Sequence, residues 1–239
     1  LSKSVVIDEI NKKSVEINII DQNSNYLIIE YLINNFDIRE VDINNIVHHK
    51  INLDGEPNSL IQYKPELPHI NRSFIIPDHK SIRSEIISYK YVEYDNINII
   101  PSKGNIARNI DVNVVPYQKD NLYSKDVFYP ENIVSTHHPY ILRDYRGQVV
   151  QLNPFQFNPM QSVLKVYNKI VVKLNFDGNN DINQFFRQNK SLSRASKDFE
   201  YIYSDRFLNY SHFNSRYTPI AEDGEMLVIC YDSFCDEMN

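Results

Sequence analysis

Seven histidines and two cysteines are the side chains of this 239-residue chain with most scope for metal or covalent chemistry. Two histidine pairs stand out, His48 with His49 and His137 with His138. Neighbours on a strand face opposite ways, so neither pair chelates one ion unaided. His69 and His79 lie near proline-rich turns and lack HxH or HExxH spacing, so no metal site is assigned. Cys230 and Cys235 form a C-x4-C pair near the end of the chain. Two small buried or half-buried thiols and a local disulfide of an exported protein both remain open readings. A nucleophilic cysteine needs a base, and no histidine follows either one. Arg143, Asp144 and Arg146, in ILRDYRGQ, make a dense charge cluster. It is expected as an exposed ion-pair set at a strand end, worth under about 1 kcal/mol. Carboxylates are numerous but none has a distinctive acid/base setting. No catalytic residue and no cofactor is therefore assigned to the chain.

The elements that must hold these residues are predicted to be strands. Ala occurs only at Ala107, Ala195 and Ala221, while Tyr numbers 17 and Phe 12. Few alanines among many Ile, Val, Tyr and Phe suit a pleated surface. Short segments of alternating character cover residues 4–7, 14–20, 26–32, 38–53, 73–76, 86–94, 110–115, 140–145, 148–153 and 164–176. Leu164, Val166, Ile170 and Val172 share one face, a period of two that marks half-buried antiparallel strands. The expectation is an all-β antiparallel sandwich or jelly roll. After Gly178 the character changes. Residues 182–188 suggest a helical turn. Residues 198–210 place Phe199, Ile202, Tyr203 and Phe207 at helical spacing, with Asp198 as N-cap. The run MLVI at residues 226–229 then reads as a buried parallel strand that starts an α/β unit.

Several function classes fall away. Net charge is −6 with scattered Lys and Arg, so a nucleic-acid partner is not expected. No apolar run approaches the roughly 18–20 residues of a membrane helix, so membrane insertion is not expected. Five glycines, without GxGxxG or GKS/T, leave little for a phosphate cradle. Leu1 in place of Met is explained by a removed export signal or by a start lying upstream.

The order of motifs resembles a family. GEPNSLIQYKPELPHINRSFIIP at residues 55–77 is similar to the entry of gingipain-type propeptides. IIPSKGNIARNID (99–111), YSKDVFYPENIV (123–134) and PYILRDYRGQVVQLNPFQFNPMQSVLKVYNKIVVKLNF (139–176) follow in the family's order. DFEYIYSDRFLNYS then leads to SRYTPIAEDGEMLVICYDSF (215–234), which resembles the junction between such a propeptide and its catalytic domain. The resemblance spans most of residues 55–234. It implies the gingipain-like cysteine peptidases, caspase-like α/β enzymes with a Cys–His dyad. Their propeptide resembles a β-sandwich or jelly roll and keeps the zymogen latent.

From the resemblance comes a division into a β-sandwich propeptide (1–196), a helical linker (197–216) and the incomplete start of the catalytic α/β domain (217–239). The dyad would lie downstream, so neither cysteine is the nucleophile. The implied partner is the cognate peptidase domain, and the implied location is exported: periplasm, then cell surface or medium. A basic side chain on residues 116–140 would fill the specificity pocket, with Lys119 and Lys125 as candidates against the plainer reading of solvated loop lysines. Release would come by a cut between Arg216 and Tyr217. The competing reading is a β-sandwich interaction module, including the retained N-terminal domain of a sortase-like family member in type IX secretion. Carbohydrate binding rests only on exposed tyrosines.

Overall fold

The alternation expected near residues 164–176 runs through the longest strand of the structure. This is a computed structural model that describes residues 2–7, 13–186, 193–194, 197–214 and 218–219. Among these residues the strands are β1 (Ser2–Val6), β2 (Val15–Gln22), β3 (Tyr26–Ile33), β4 (Asn35–Ile43), β5 (Ile46–Asn52), β6 (Ile70–Ile75) and β7 (Lys80–Tyr94). They continue with β8 (Val134–Thr136), β9 (Tyr140–Leu142), β10 (Tyr145–Leu152), β11 (Phe155–Asn158) and β12 (Val163–Asn179). Helices α1 (Lys197–Arg206) and α2 (Ser211–Asn214) follow. A two-residue parallel pair, β13 (Ser193–Arg194) with β14 (Thr218–Pro219), completes the set.

Every other strand pair is antiparallel, as the alternation implies. β12 is central. Its whole length pairs with β7 on one side, while β11 and then β3 share the other side, and β2 lies beyond β3. A second sheet has the order β6-β10-β8 with β9 paired to β10, and a third runs β1-β4-β5. Leu164, Val166, Ile170, Val172 and Leu174 of β12 are buried with Leu27, Ile29, Tyr31 and Ile33 of β3. They share one core with Ile70 and Phe74 of β6, Val150 and Leu152 of β10, and Phe155 and Phe157 of β11. That common core is the filling of a sandwich.

Local chemistry fixes the hairpins. Residues 38–53 form β4 and β5, joined at Asn44 and Asn45, whose φ values are 55° and 62°. Two left-handed residues make the tight turn that fits strand twist, and Asn tolerates it. The Asp42 carboxylate accepts the Asn45 N–H at 2.9 Å. β9 and β10 are joined through Arg143, with φ 48°, and Asp144.

Three sequence expectations are corrected here. Residues 110–115 form no strand. They lie in turns with Ile110, Val112 and Val114 exposed, because no neighbouring strand takes up their backbone groups. The described part of residues 182–188 forms no helix, and its carbonyls instead serve Arg146. Helix α1 begins at Lys197, which puts Asp198 in the first turn rather than at the cap.

The Arg143–Arg146 cluster is the expected ion-pair set only in part: exposed Arg143 pairs with Asp144 at 3.8 Å, whereas Arg146 stands apart from them. Arg146 is fully buried. It donates to the carbonyls of Asn183 (2.9 Å), Pro77 (2.9 Å), Lys80 (2.8 Å) and Ile182 (3.0 Å). Arg143 lies over the Phe199 ring, 4.0 Å from its centroid, and Tyr203 donates to the Asp144 carboxylate at 2.7 Å.

The helical segment is docked on the β6–β10 sheet. Tyr203, Phe207 and Tyr210 join Ile75 and Tyr145 in a second buried cluster. Tyr203 and Phe207 are buried as the helical spacing predicts, whereas Ile202 is exposed. Asn209 reads the Ile75 backbone twice, accepting its N–H at 2.7 Å and donating to its carbonyl at 2.9 Å. Phe207 sits so close to Gly147 that a Cβ there would lie 2.5 Å from the ring. Gly147→Ala is therefore expected to undock the segment and cost about 1–3 kcal/mol in urea unfolding. Limited proteolysis should then cut within residues 197–214 first. Unchanged cutting and stability would contradict this packing.

Candidate functional site

The connection from β7 to β8 spans residues 95–133 and holds one helical element, a 3-10 turn at Asn121–Ser124. Loops longer than about 12–15 residues inside a packed domain tend to be functional. This one is built as three anchors with two exposed excursions between them.

The first anchor is residues 98–102. The His49 N–H donates to Asn98 (2.6 Å) and the His49 carbonyl accepts from Ile100 (3.0 Å). Ser102 exchanges backbone bonds of 2.8 Å with Lys64 and Tyr63. The paired histidines do face opposite ways. His48 is buried, with Nδ1 3.0 Å from the Ile46 carbonyl, while His49 Nδ1 accepts from Asn98. Burial pushes the His48 imidazole below its ordinary value. His49 is therefore a structural pin of this loop, while His48 bonds within its own hairpin. His137 donates its backbone N–H to Val149, and its ring meets the Gln151 side chain at 3.1 Å.

The first excursion, residues 103–119, exposes Arg108 together with Ile110, Val112 and Val114. Leu60 and Ile61, on the neighbouring connection that anchors it, are exposed as well. Lys103 braces this excursion by donating to the Val112 carbonyl (2.8 Å) and lying 4.2 Å from the Tyr117 ring centroid. Exposed β-branched side chains clustered on one loop are characteristic of a docking surface.

The second anchor is the 3-10 turn. Asp120 caps it by accepting the Leu122 N–H at 2.8 Å and the Lys64 ammonium at 2.8 Å. Leu122 is buried, and the Tyr123 hydroxyl donates to the Ile99 carbonyl at 3.1 Å. Lys119 and Lys125 flank this turn. Lys119 is exposed and lies over the Tyr123 ring at 5.1 Å, and local desolvation lowers its ammonium below the usual lysine value. Lys125 is exposed, with its backbone N–H closing the turn onto Leu122 (2.9 Å). The third anchor is a reciprocal bridge between Tyr129 and Phe157, at 2.9 and 2.8 Å.

Sequence reasoning missed Arg108. The alternation of Ile110, Val112 and Val114 with Asp111 and Asn113 imitates a strand, so the basic residue just before it was not read as part of a loop. Arg216, Tyr217, Cys230, Cys235 and residues 226–229 lie outside the described residues. Among the described residues no group of three or more His, Cys, Asp or Glu could hold a metal ion. No described helix is long and apolar enough to cross a membrane.

The capping turn carries a pH dependence. The Lys64 hydrogen bond, with the Leu122 N–H second, holds the Asp120 carboxyl below its ordinary 3.8. A carboxyl depressed in the folded state stabilises the turn above its unfolded value, and that contribution fades as pH falls through the folded one. NMR of the Leu122 and Lys125 amides should show the turn loosening below about pH 4. Asp120→Ala should abolish the transition, and a wild-type profile that stays flat to about pH 2 would contradict the capping role.

The Propeptide_C25 family model matches residues 10–215. Gingipain R1 of Porphyromonas gingivalis is 38% identical over 170 residues, covering 69% of this chain and 16% of that protein. Gingipain R2 of the same organism is 36% identical over 167 residues, covering 69% of this chain and 22% of that protein. The chain thus spans less than a quarter of the length of these curated relatives. Among solved structures, a complex of Porphyromonas gingivalis RgpB pro- and mature domains matches with a TM-score of 0.72 and 28% identity. That match covers 82% of this chain and 97% of the other. A structure concerning zymogenic latency of gingipain K from Porphyromonas gingivalis matches with a TM-score of 0.63 at 16% identity, a likeness of fold. It covers 74% of this chain and 100% of the other.

Proposed function

Because the chain belongs to the Propeptide_C25 family, we propose that it is the pro-segment that keeps a gingipain-like cysteine peptidase latent and assists its folding. The observation that carries this reading is the match to nearly the whole of one chain in a complex of pro- and mature domains, at 28% identity. The β sandwich presents the 95–133 loop toward the peptidase cleft. A loop held at three anchors loses little entropy on binding, which favours tight inhibition. A basic side chain seated against an acid in the specificity pocket supplies the energetic anchor. Lys119 and Lys125 remain the candidates, and the exposed Arg108 joins them.

Release follows a cut between Arg216 and Tyr217. The family match stops at residue 215, directly before that arginine, which supports the position. The docking of Lys197–Arg206 and Ser211–Asn214 on the sheet supports a boundary at which residues 197–216 leave with the propeptide (1–196). Residues 217–239 then open the catalytic domain. The setting is export through the periplasm to the cell surface or medium, where a protease must stay silent in transit. The family match and the RgpB complex favour this reading over a retained interaction domain of a type IX secretion sortase-like peptidase.

Titration of the chain against the mature peptidase should give inhibition at micromolar concentration or tighter. No inhibition would end the latency reading. Among Lys119→Ala, Lys125→Ala and Arg108→Ala, the variant lacking the pocket residue should weaken inhibition about 30-fold or more, the size of a binding hot spot. Small effects at all three would remove the loop's basic anchor. In the full precursor, Arg216→Ala should slow maturation and abolish a product beginning at Tyr217. Unchanged N-terminal sequencing would move the scissile bond elsewhere.

A further inference from the structure

β7 is an edge strand of unusual character. Its inner side pairs with β12 along nearly its full length, and its outer side has no strand partner among the described residues. From Ile87 to Glu93 every residue is exposed, on both faces of the strand. Ile87 (50%), Tyr89 (52%), Tyr91 (45%) and Val92 (42%) together put an apolar, aromatic band on that stretch. Natural edge strands of this length are ordinarily shielded by charges, proline or a covering loop. Here Lys90 is the one cation of the stretch, and Pro is absent.

The band is continuous with the candidate inhibitory loop. The Lys165 ammonium lies between the Tyr91 ring (4.6 Å) and the Phe128 ring (4.1 Å), and Phe128 is three residues beyond Lys125. Tyr89 and Tyr91 both stand 5.6 Å from the buried Tyr167 of β12, which fixes the strand from behind. The stretch is long enough for an ordinary strand of about 5–6 residues. Backbone groups with no strand partner among the described residues, between side chains exposed on alternate faces, are what strand addition requires.

We infer that the outer edge of β7, over residues 87–93, is a second docking element for the cognate peptidase domain, which adds an extended segment to this strand beside the inhibitory loop. The inference rests on the latency reading, since it takes its partner from there. Two contacts on one rigid scaffold raise affinity beyond either alone, and the edge would hold the propeptide in register while the loop enters the cleft.

Hydrogen exchange of the 239-residue chain, free and bound to the mature peptidase, tests this directly. Amides within residues 87–93 should exchange at least about tenfold more slowly in the complex, as expected for newly paired strand backbone. Ile87→Lys and Val92→Lys should each weaken inhibition about tenfold or more without changing the thermal midpoint of the free chain. Full inhibition with unprotected 87–93 amides, or variants as potent as wild type, would overturn the edge while leaving latency intact. Protection of the free chain that grows with its concentration would assign the edge to a second copy instead, and would also overturn it. Failure of the wild-type chain to bind the peptidase at all would remove both readings.

Discussion

The Arg146 guanidinium ties β10 to the β7–β12 pair, with which β10 shares no strand ladder. By the period of two it shares the core face of β10 with Val150 and Leu152, yet it ends among carbonyls rather than methyl groups. Its four bonds reach the turn before β7, through Pro77 and Lys80, and the segment after β12, through Ile182 and Asn183. Burial pulls the guanidinium below its ordinary value, with the Asp78 charge acting the other way, but arginine keeps its proton in any such setting. Losing the guanidinium would forfeit four hydrogen bonds from a charged donor, each worth on the order of 1.5–3 kcal/mol. The two residues beside it serve the opposite face. Tyr145 enters the aromatic cluster with Tyr203 and Tyr210, and Gly147 leaves room for Phe207. Three consecutive residues thus join the β7 entrance, the end of β12 and the helical segment.

This arrangement suits a protein that works by holding still. Among the described residues no group of three or more His, Cys, Asp or Glu could hold a metal ion. What the chain contributes is a scaffold that fixes a long loop at Ile99, Asp120 and Tyr129 while leaving the stretches between them uncovered. On the proposed reading the loop is already ordered when the peptidase binds, so binding energy is not consumed in folding it. The same scaffold keeps β7 extended beside it.

Much of the fold was legible because its signal is local. The alternation in β3 and β12 follows from each strand having one face in a shared core, whereas the hairpin at Asn44 and Asn45 went unread inside the single segment 38–53. The family resemblance carried the propeptide assignment further than composition could. Other features were hidden because they depend on distant partners. Ile110, Val112 and Val114 have strand chemistry, but whether a strand forms depends on a neighbour that this loop lacks. Arg146 looked like one member of a surface charge cluster because its carbonyl partners are remote in sequence and carry no residue-type signature. Asn209, which pairs with Ile75 across the sheet edge, was invisible for the same reason.

The central claim is that a preformed β scaffold silences a peptidase by placing the loop between β7 and β8 in its cleft. A crystal structure of this chain bound to its own mature peptidase tests it most directly. The account predicts a side chain from residues 103–128 seated in the specificity pocket, with the loop's three anchors unchanged from the free chain. A complex in which that loop faces solvent and another element fills the cleft would contradict it.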